Sequence, residues 1–301
     1  MSKKKLKITF TDFWPNFQSE DNYFYHLLSQ KYELELNHKN PDLLIHSVDY
    51  SGSEKHKNFD KLNIKKIFYT GEDLLPNFDN TNFSLTFSDN LGAKNFRLPL
   101  WVLFINWFNL PYNKKRDPAY LINKKILTSN KSSTLRNNQF FCSFIASKPS
   151  GKRLDFVPKL NDKKKIHCAG RLFNNTYYPL KGRGDHKNKI NFMKNFKFNI
   201  AFESSKSDGY VTEKILHSMA VNSIPIYWGT HYVKKDFNAE KILFYDDFEN
   251  DEHLIEDILK INGDKKILKK YQNQPIFEEN TIPEKFHPDN VLEFMMKIIE
   301  K

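Results

Sequence analysis

The sequence predicts an α/β protein built from two similar domains. Short apolar strands alternate with helical stretches in both halves of the chain, which is typical of wound α/β domains. A polar stretch rich in Lys, Asn and Ser separates the halves between residues 113 and 138. A chain of 301 residues can also form two hydrophobic cores. We therefore expect domains 1–135 and 136–301 to face a central cleft, with the amphipathic stretch 288–301 packing back on the first domain.

The first half reads as four strands and one helix. Alternation in YELEL, an apolar run in DLLIH and aromatic and β-branched residues in KIFYT each indicate a strand. The predicted strands are Leu6–Phe10, Tyr32–Leu36, Asp42–His46 and Lys66–Thr70, and the predicted helix is Tyr23–Leu28.

The second half contains a βαβ pattern. A strand over Phe196–Glu203 and a strand over Ser223–Tyr227 flank a helix over Thr212–Ala220, whose apolar residues fall on one face. An earlier strand is predicted over Gln139–Ala146, and acidic, helix-rich sequence follows Asn250. Ligands of such units bind beyond the carboxyl ends of the strands, so the segment between residues 203 and 212 is a candidate site.

The composition excludes several classes of protein. Hydrophobic residues make up 39% of the chain, which is too many for a disordered protein, and no apolar run is long enough for a membrane span or a secretory signal. Two cysteines do not form a disulfide framework and suit a reducing compartment. The net charge of +11 comes mainly from lysine, with six arginines among 47 basic residues. Because arginine dominates nucleic-acid recognition, we expect no nucleic-acid partner.

The first candidate site is Ser204–Lys214, reading SSKSDGYVTEK between a strand and a helix. A helix N-terminus offers free N–H groups and positive potential to a phosphate. Tyr210 and Thr212 can donate hydrogen bonds there, Lys214 adds charge, and Glu213 can accept from two sugar hydroxyls. On spacing alone a structural interpretation is favoured, with Thr212 as N-cap, Glu213 at the helix dipole and Lys214 in solvent.

The second candidate is the segment Ser147–Arg153, reading SKPSGKR after a strand. A Ser-, Pro- and Gly-rich turn that carries Lys152 and Arg153 can neutralise a departing anion. The alternative is an ordinary exposed turn.

The third candidate is Glu72, in the segment FYTGEDLLPNF after a strand and a glycine. A carboxylate at a strand end can act as a general base if its pKa is suitable. The alternative is an exposed loop acid, which the residue pattern alone favours.

Other familiar catalytic motifs are absent. The sequence has no GxGxxG, Walker, HExxH or GxSxG motif, and Asp246-Asp247 does not form a DxD. The ten histidines show no paired spacing, so we expect no metal site.

Together these segments resemble the α1,3/4-fucosyltransferases of glycosyltransferase family ten, particularly the bacterial members. The strongest similarity is FNIAFESSKSDGYVTEKILHSMAVNSIPIYWG, residues 198–229. It extends to FYTGEDLLPNF, Arg97-Leu98-Pro99, SKPSGKR and Cys168-Ala169-Gly170-Arg171 in the order found in the family. The resemblance covers most of the chain and implies a GT-B fold, with two Rossmann-like domains.

The resemblance also implies roles in donor binding. GDP-fucose is held by the C-terminal domain, where Arg153 and Lys214 match residues that contact the diphosphate, joined by Tyr210. Glu213 matches a residue that binds the ribose hydroxyls. Ser204 stands where the family has Asn, so its donor contact has a shorter reach.

The implied reaction is an inverting transfer of L-fucose from GDP-β-L-fucose to a GlcNAc-containing glycan, through an α1,3 or α1,4 linkage. Glu72 matches the proposed catalytic base. No cofactor is required, and a divalent metal is at most stimulatory. Phe13 and Trp14, after the first strand, are candidates for stacking on acceptor sugars, although they could equally belong to the core.

The expected partners are GDP-fucose and an oligosaccharide or glycolipid acceptor. The expected location is cytoplasmic, with the enzyme soluble or peripheral to the inner face of the membrane. Two alternatives stay open: a GT-B transferase with another donor or acceptor, and a non-catalytic basic module that binds glycans or anions.

Overall fold

The chain folds into two compact units. The computed structural model describes residues 3–48, 51–129, 139–177, 179–180 and 186–300. Unit 1 comprises Met1–Tyr120 and Glu284–Lys301, and unit 2 comprises Leu121–Pro283. The domain boundary expected at 135/136 lies outside the described residues.

Unit 1 is built on a six-stranded sheet in the order β2-β1-β3-β4-β5-β6. Each strand is parallel to its neighbours. The strands are β1 (Lys4–Thr11), β2 (Tyr32–Leu36), β3 (Leu43–His46), β4 (Lys65–Tyr69), β5 (Phe83–Thr86) and β6 (Asn95–Arg97), followed by the short β7 (Ile105–Asn106). Ile8, Leu44, Ile67 and Leu85 are fully buried along the sheet. This burial on a parallel sheet explains their apolar sequence.

Unit 2 is built on a five-stranded parallel sheet in the order β10-β9-β11-β12-β13. Its strands are β9 (Phe140–Phe144), β10 (Ile166–Cys168), β11 (Phe196–Ile200), β12 (Ile224–Tyr227) and β13 (Leu243–Phe244), preceded by the short β8 (Ile122–Asn123). Phe144, Phe156, Phe198 and Ile224 belong to its hydrophobic core.

In unit 2 helices alternate with the strands from β8 to β13, as expected for crossover connections between parallel strands. The helices of the two units are α1 (Tyr23–Leu28), α2 (Lys124–Thr128), α3 (Arg153–Lys163), α4 (His186–Met193), α5 (Glu213–Ala220), α6 (Val233–Asp236), α7 (Asp251–Gly263), α8 (Lys265–Asn273) and α9 (Pro288–Ile299). The last of these, α9, belongs to unit 1. Within the described residues, no helix combines the length and apolar composition needed to cross a membrane.

Several elements agree closely with the sequence prediction. The helix over Tyr23–Leu28 and the strand over Tyr32–Leu36 have the predicted bounds. The helix begins where the Asn22 side chain accepts a hydrogen bond from the Tyr25 amide, which is a regular N-cap.

Two predicted boundaries at the candidate site were wrong. The strand predicted over Phe196–Glu203 ends at Ile200, although the Glu203 amide still donates to the Trp228 carbonyl. Arg153, predicted as the last residue of a turn, is the first residue of α3 and is 4% exposed, so the alternative of an ordinary exposed turn does not describe it.

Candidate functional site

The candidate site of unit 2 lies where β11 ends and α5 begins. β11 and β12 are parallel neighbours, with Phe198 opposite Ile224 and Ile200 opposite Ile226. Beyond the strand, the Glu203 amide still donates to the Trp228 carbonyl. Residues 201–212 therefore leave the carboxyl end of the sheet and lead directly into the helix, which is the usual place for ligands in such folds.

Glu203 is the centre of this site, and the sequence analysis did not select it. Its side chain is fully buried, and its carboxylate accepts hydrogen bonds from the Thr212 amide at 2.8 Å and the Thr212 hydroxyl at 2.8 and 2.9 Å. The Lys214 ammonium donates to the same carboxylate at 2.8 Å. A buried charge needs such partners. The sequence did contain a signal for Glu203: it is an acid that follows a buried strand, and Thr212 and Lys214 come at the start of the next helix.

Thr212 and Lys214 are held together by this carboxylate. Thr212, expected to donate to a ligand, directs its hydroxyl to Glu203 and accepts from the Lys214 ammonium at 2.9 Å. Burial would lower the pKa of Lys214, but the carboxylates of Glu203 and Glu213 outweigh it and hold that pKa above its ordinary value. Lys214 is therefore a fixed cation with 24% of its side chain exposed.

Glu213 is the first residue of α5 and pairs with Lys189 at 3.2 Å. Burial would raise the pKa of Glu213, but the ammonium groups of Lys189 and Lys214 outweigh it, and the pKa lies well below its ordinary value. The carboxylate is ionised at neutral pH and 14% of the side chain is exposed. It can accept hydrogen bonds from hydroxyl groups, as the sequence suggested.

Arg153 reaches the same site from α3. Its guanidinium donates to the Lys148 carbonyl at 3.0 Å, the Ser150 hydroxyl at 2.9 Å and the Phe202 carbonyl at 2.8 Å. Its Nε is buried and has no hydrogen-bond partner among the described residues. Burial lowers the pKa of Arg153, an effect opposed by the charge of Glu203. The arginine remains a cation, because its pKa starts so high.

The loop that carries Arg153 depends on Gly151. This residue has φ +58°, and a Cβ placed on it would lie 2.3 Å from the Trp228 ring. Only glycine meets both conditions without strain. The turn therefore brings α3 to the end of β11 by a close approach of its backbone to an aromatic side chain.

Two further predicted residues lie at the same place. Tyr210 is 3% exposed, and its hydroxyl is 3.5 Å from that of Ser204. Three cations of the site, Arg153, Lys189 and Lys214, face the two carboxylates of Glu203 and Glu213. The residual positive charge and the N-terminus of α5 together favour an anionic ligand.

Unit 1 contains the remaining predicted residues. Glu72 follows β4, and its backbone is held by Thr70, whose hydroxyl accepts from the Glu72 amide at 3.0 Å and donates to the Glu72 carbonyl at 2.9 Å. Its side chain is partly exposed. Glu72 thus lies in the loop after β4, where these two hydrogen bonds hold its backbone.

Phe13 and Trp14 follow β1 and are partly buried in an aromatic cluster. The Phe13 ring stacks on Phe17 at 3.9 Å and lies 6.4 Å from the ring of Tyr69, the last residue of β4. The Trp14 indole Nε1 is buried without a hydrogen-bond partner in the described part of the chain. Both residues therefore lie at the sheet edge that carries Glu72.

Two family models match the chain. "Alpha-(1,3)-fucosyltransferase FucT N-terminal domain" matches residues 8–104. "Glycosyltransferase family 10 (fucosyltransferase) C-term" matches residues 134–276. The two matches follow one another in the chain and include all the predicted site residues.

Curated relatives agree with these models. The α-(1,3)-fucosyltransferase FucT of Helicobacter pylori is 29% identical over 281 residues, which cover 85% of this chain and 57% of that protein. The α-(1,3)-fucosyltransferase B of Drosophila melanogaster is 29% identical over 140 residues, 44% of this chain and 32% of that protein. The chain thus spans little more than half the length of the first relative.

Solved structures show the same fold. A crystal structure of an α1,3-fucosyltransferase with GDP has a TM-score of 0.75 and 26% identity, and it covers 100% of this chain and 92% of its own. A second α1,3-fucosyltransferase structure has a TM-score of 0.80 and 25% identity, with coverage of 100% and 91%. The prediction of an α/β fold of the GT-B type is confirmed. On the family models, the relatives and the fold, this chain belongs to glycosyltransferase family 10, the fucosyltransferases.

Proposed function

We propose that this chain is an inverting α1,3-fucosyltransferase. It transfers L-fucose from GDP-β-L-fucose to a GlcNAc-containing glycan such as N-acetyllactosamine. The α1,3-fucosyltransferases among its relatives support the reaction, and the neighbour that holds GDP supports the donor. The observation that carries the proposal is the set of fixed cations around Glu203. In a transfer from GDP-fucose the leaving group is a nucleoside diphosphate, and fixed cations stabilise that anion.

The diphosphate binds between Arg153, Lys214 and the N-terminus of α5. Glu203 and the backbone carbonyls already hold both cations in place. Charges that are positioned before the ligand arrives stabilise a developing anion without reorganisation. The buried Nε of Arg153 supplies a further donor.

The remaining donor-side residues have smaller roles. Glu213 accepts from the ribose hydroxyls, and Tyr210 and Ser204 contribute hydroxyl groups. Thr212 acts by positioning Lys214, since its own hydroxyl is bonded to Glu203. Ser204 is shorter than the Asn found in the family, so its contact with the donor is weaker or mediated by water.

Glu72 is the general base of the transfer. As the bond between C1 of fucose and the GDP oxygen breaks, GDP leaves with the electron pair. The acceptor hydroxyl oxygen forms the new bond to C1 from the opposite face, and its proton passes to the Glu72 carboxylate. Attack from the opposite face converts the β-linked donor into an α-fucoside. Phe13 and Trp14 offer aromatic faces to the acceptor sugar.

Replacement of the base tests this mechanism. Glu72→Gln retains the shape of the side chain but cannot take a proton, so turnover should fall roughly 10²–10⁴-fold. Its affinity for GDP should stay within about twofold, because the diphosphate contacts lie in unit 2. The measurements are fucose transfer to N-acetyllactosamine and calorimetric GDP binding.

The matched control is Asp73→Asn, which removes the neighbouring carboxylate of the same loop. It should retain near-normal turnover. Normal turnover in Glu72→Gln would show that Glu72 is not the base. The proposed donor would be contradicted if the unmodified protein transferred a sugar from another sugar nucleotide but not from GDP-fucose. Linkage analysis of products from type 1 and type 2 acceptors distinguishes α1,3 from α1,4 transfer.

A further inference from the structure

A buried cluster of metal-ligating side chains lies in unit 1, apart from the proposed donor site. Asp12 follows β1, His46 is the last residue of β3, and His56 lies in the 3₁₀ helix Lys55–Phe59. One ligating atom from each lies within 4.8 Å of the other two, and the three residues are 8%, 4% and 8% exposed. Because the three come from separate elements, their spacing in the sequence gave no sign of the cluster.

Asp12 and His56 form a bonded pair. The Asp12 carboxylate accepts from the Lys55 amide at 2.9 Å and the His56 amide at 2.8 Å, and it lies 2.7 Å from the His56 ring Nδ1. Asp12 has φ +61°, a conformation that Asp tolerates better than most residues. This pair ties the end of β1 to the 3₁₀ helix.

His46 is different, because both of its ring nitrogens are buried and have no hydrogen-bond partner among the described residues. Its ring stacks on His56 at 4.7 Å with an interplanar angle of 19°, and it lies 5.4 Å from the Phe68 ring. An unpaired buried polar group costs about 1–3 kcal/mol. The contact between Asp12 and His56 does not explain why the two ring nitrogens of His46 are buried without a partner among the described residues. We take this as a sign that a ligand of His46 is missing.

The missing partner must suit an imidazole. A neutral imidazole has one N–H donor and one lone pair, and neither nitrogen of His46 has a hydrogen-bond partner among the described residues. The nearby ammonium of Lys66 is paired with Asp60 at 2.6 Å, which reduces its repulsion of a cation.

We propose that Asp12, His46 and His56 bind one divalent transition-metal ion of the Zn²⁺ type. The ion binds between the Asp12 carboxylate and His56 Nδ1, with the ring proton of His56 carried on Nε2, and one His46 nitrogen and a water complete its shell. Two imidazoles and a carboxylate favour such an ion over Mg²⁺. Ligands of one tetrahedral zinc lie about 3.3 Å apart, so the His46 ring rotates from its stacked position, where no hydrogen bond restrains it.

The role of this site is to join β1, β3 and the 3₁₀ helix at one edge of the sheet, independently of the proposed transfer reaction. Zn²⁺ alone is therefore the probe, added to the full untagged chain after removal of metal. We expect one zinc per chain and a rise in melting temperature on binding. The buried cysteines Cys142 and Cys168 lie in unit 2 and do not compete.

His46→Leu is the decisive variant. It removes two unpaired nitrogens, so the metal-free protein should fold at least as stably as the original. It should lose zinc binding at one equivalent and the rise in melting temperature. Asp12→Asn, which retains the preference for positive φ, should weaken zinc binding at least tenfold.

His253→Leu is the control, because it removes an exposed histidine of α7 and should leave zinc binding unchanged. Three results would overturn the proposal: no zinc at one equivalent in the original chain, full zinc binding in His46→Leu, or an equal effect of Mg²⁺ and Zn²⁺. The last result would mean that an oxygen-ligated cation site elsewhere causes the response.

Discussion

The carboxyl edges of the two sheets carry buried acids in contrasting surroundings. In unit 2, Glu203 meets Thr212 and Lys214, and beside them the buried Nε of Arg153 has no hydrogen-bond partner among the described residues. In unit 1, Asp12 meets His56, and beside them the buried ring nitrogens of His46 have no hydrogen-bond partner in the described part of the chain. An open N–H donor on a cation suits an anion, whereas an open lone pair beside a carboxylate suits a cation. The sign of the unpaired group thus indicates the charge of the ligand, on sheets of similar architecture.

The largest expected effect is the loss of the Glu203 charge. Glu203→Gln leaves the Lys214 ammonium without its buried carboxylate, so the free energy of unfolding should fall by about 3 kcal/mol. Asp12→Asn keeps an oxygen that accepts from a backbone amide, so its cost in metal-free protein should be about 1 kcal/mol. Urea unfolding of the two variants and the original chain measures both differences.

GDP affinity separates a positioning role of Glu203 from a purely structural one. Glu203→Gln should weaken GDP binding under conditions where the variant is still folded, because Lys214 is no longer held toward the site. Asp12→Asn should leave GDP binding unchanged. If the two variants lost equal stability and both kept their GDP affinity, the proposed difference between the anion-binding surroundings of Glu203 and the cation-binding surroundings of Asp12 would be wrong.

Much of the fold could be predicted because many of its helices and strands are encoded by local sequence patterns. The strand Tyr32–Leu36 alternates and the helix Tyr23–Leu28 begins at a regular cap, so both are visible in the sequence. The helix α3 was missed, because Pro158 lies inside it and its start depends on a turn against Trp228. Elements whose start depends on a tertiary contact carry little local signal.

The residues of the candidate sites also fall into two groups: those with a local sequence signal and those whose role depends on partners distant in sequence. Lys214, Glu213 and Arg153 were candidates because they lie at helix or strand ends, and the resemblance to a family is what favoured a binding role over a structural one for all three. Glu203 and His46 were not selected, because their importance comes from partners distant in sequence. Both side chains are polar and buried, a combination that the sequence does not reveal.

Glycines at the two edges offer a second comparison with an intermediate effect. Gly151→Ala places a Cβ 2.3 Å from the Trp228 ring at a φ of +58°, so it should destabilise by about 1–3 kcal/mol and weaken GDP binding through Arg153. Gly71→Ala meets only the end of the Leu100 side chain, at 2.8 Å. That side chain can move, so the cost should be below about 1 kcal/mol. Thermal unfolding of both variants checks the order, and a larger loss in Gly71→Ala would contradict it.

The smallest expected effect concerns pH and the pair between Lys189 and Glu213. A carboxyl whose pKa is lower in the folded chain stabilises that chain above its unfolded pKa of about 4.5, and the contribution is lost as the pH falls through the folded value. Lys189→Met should therefore cost about 1 kcal/mol at pH 7 and progressively less below pH 4.5. Urea unfolding at several pH values measures the difference, with the exposed Lys163→Met of α3 as a control that should show little change at any pH. A cost that stayed constant down to pH 3 would mean that Lys189 acts through packing, and that the charge of Glu213 is maintained by Lys214 alone.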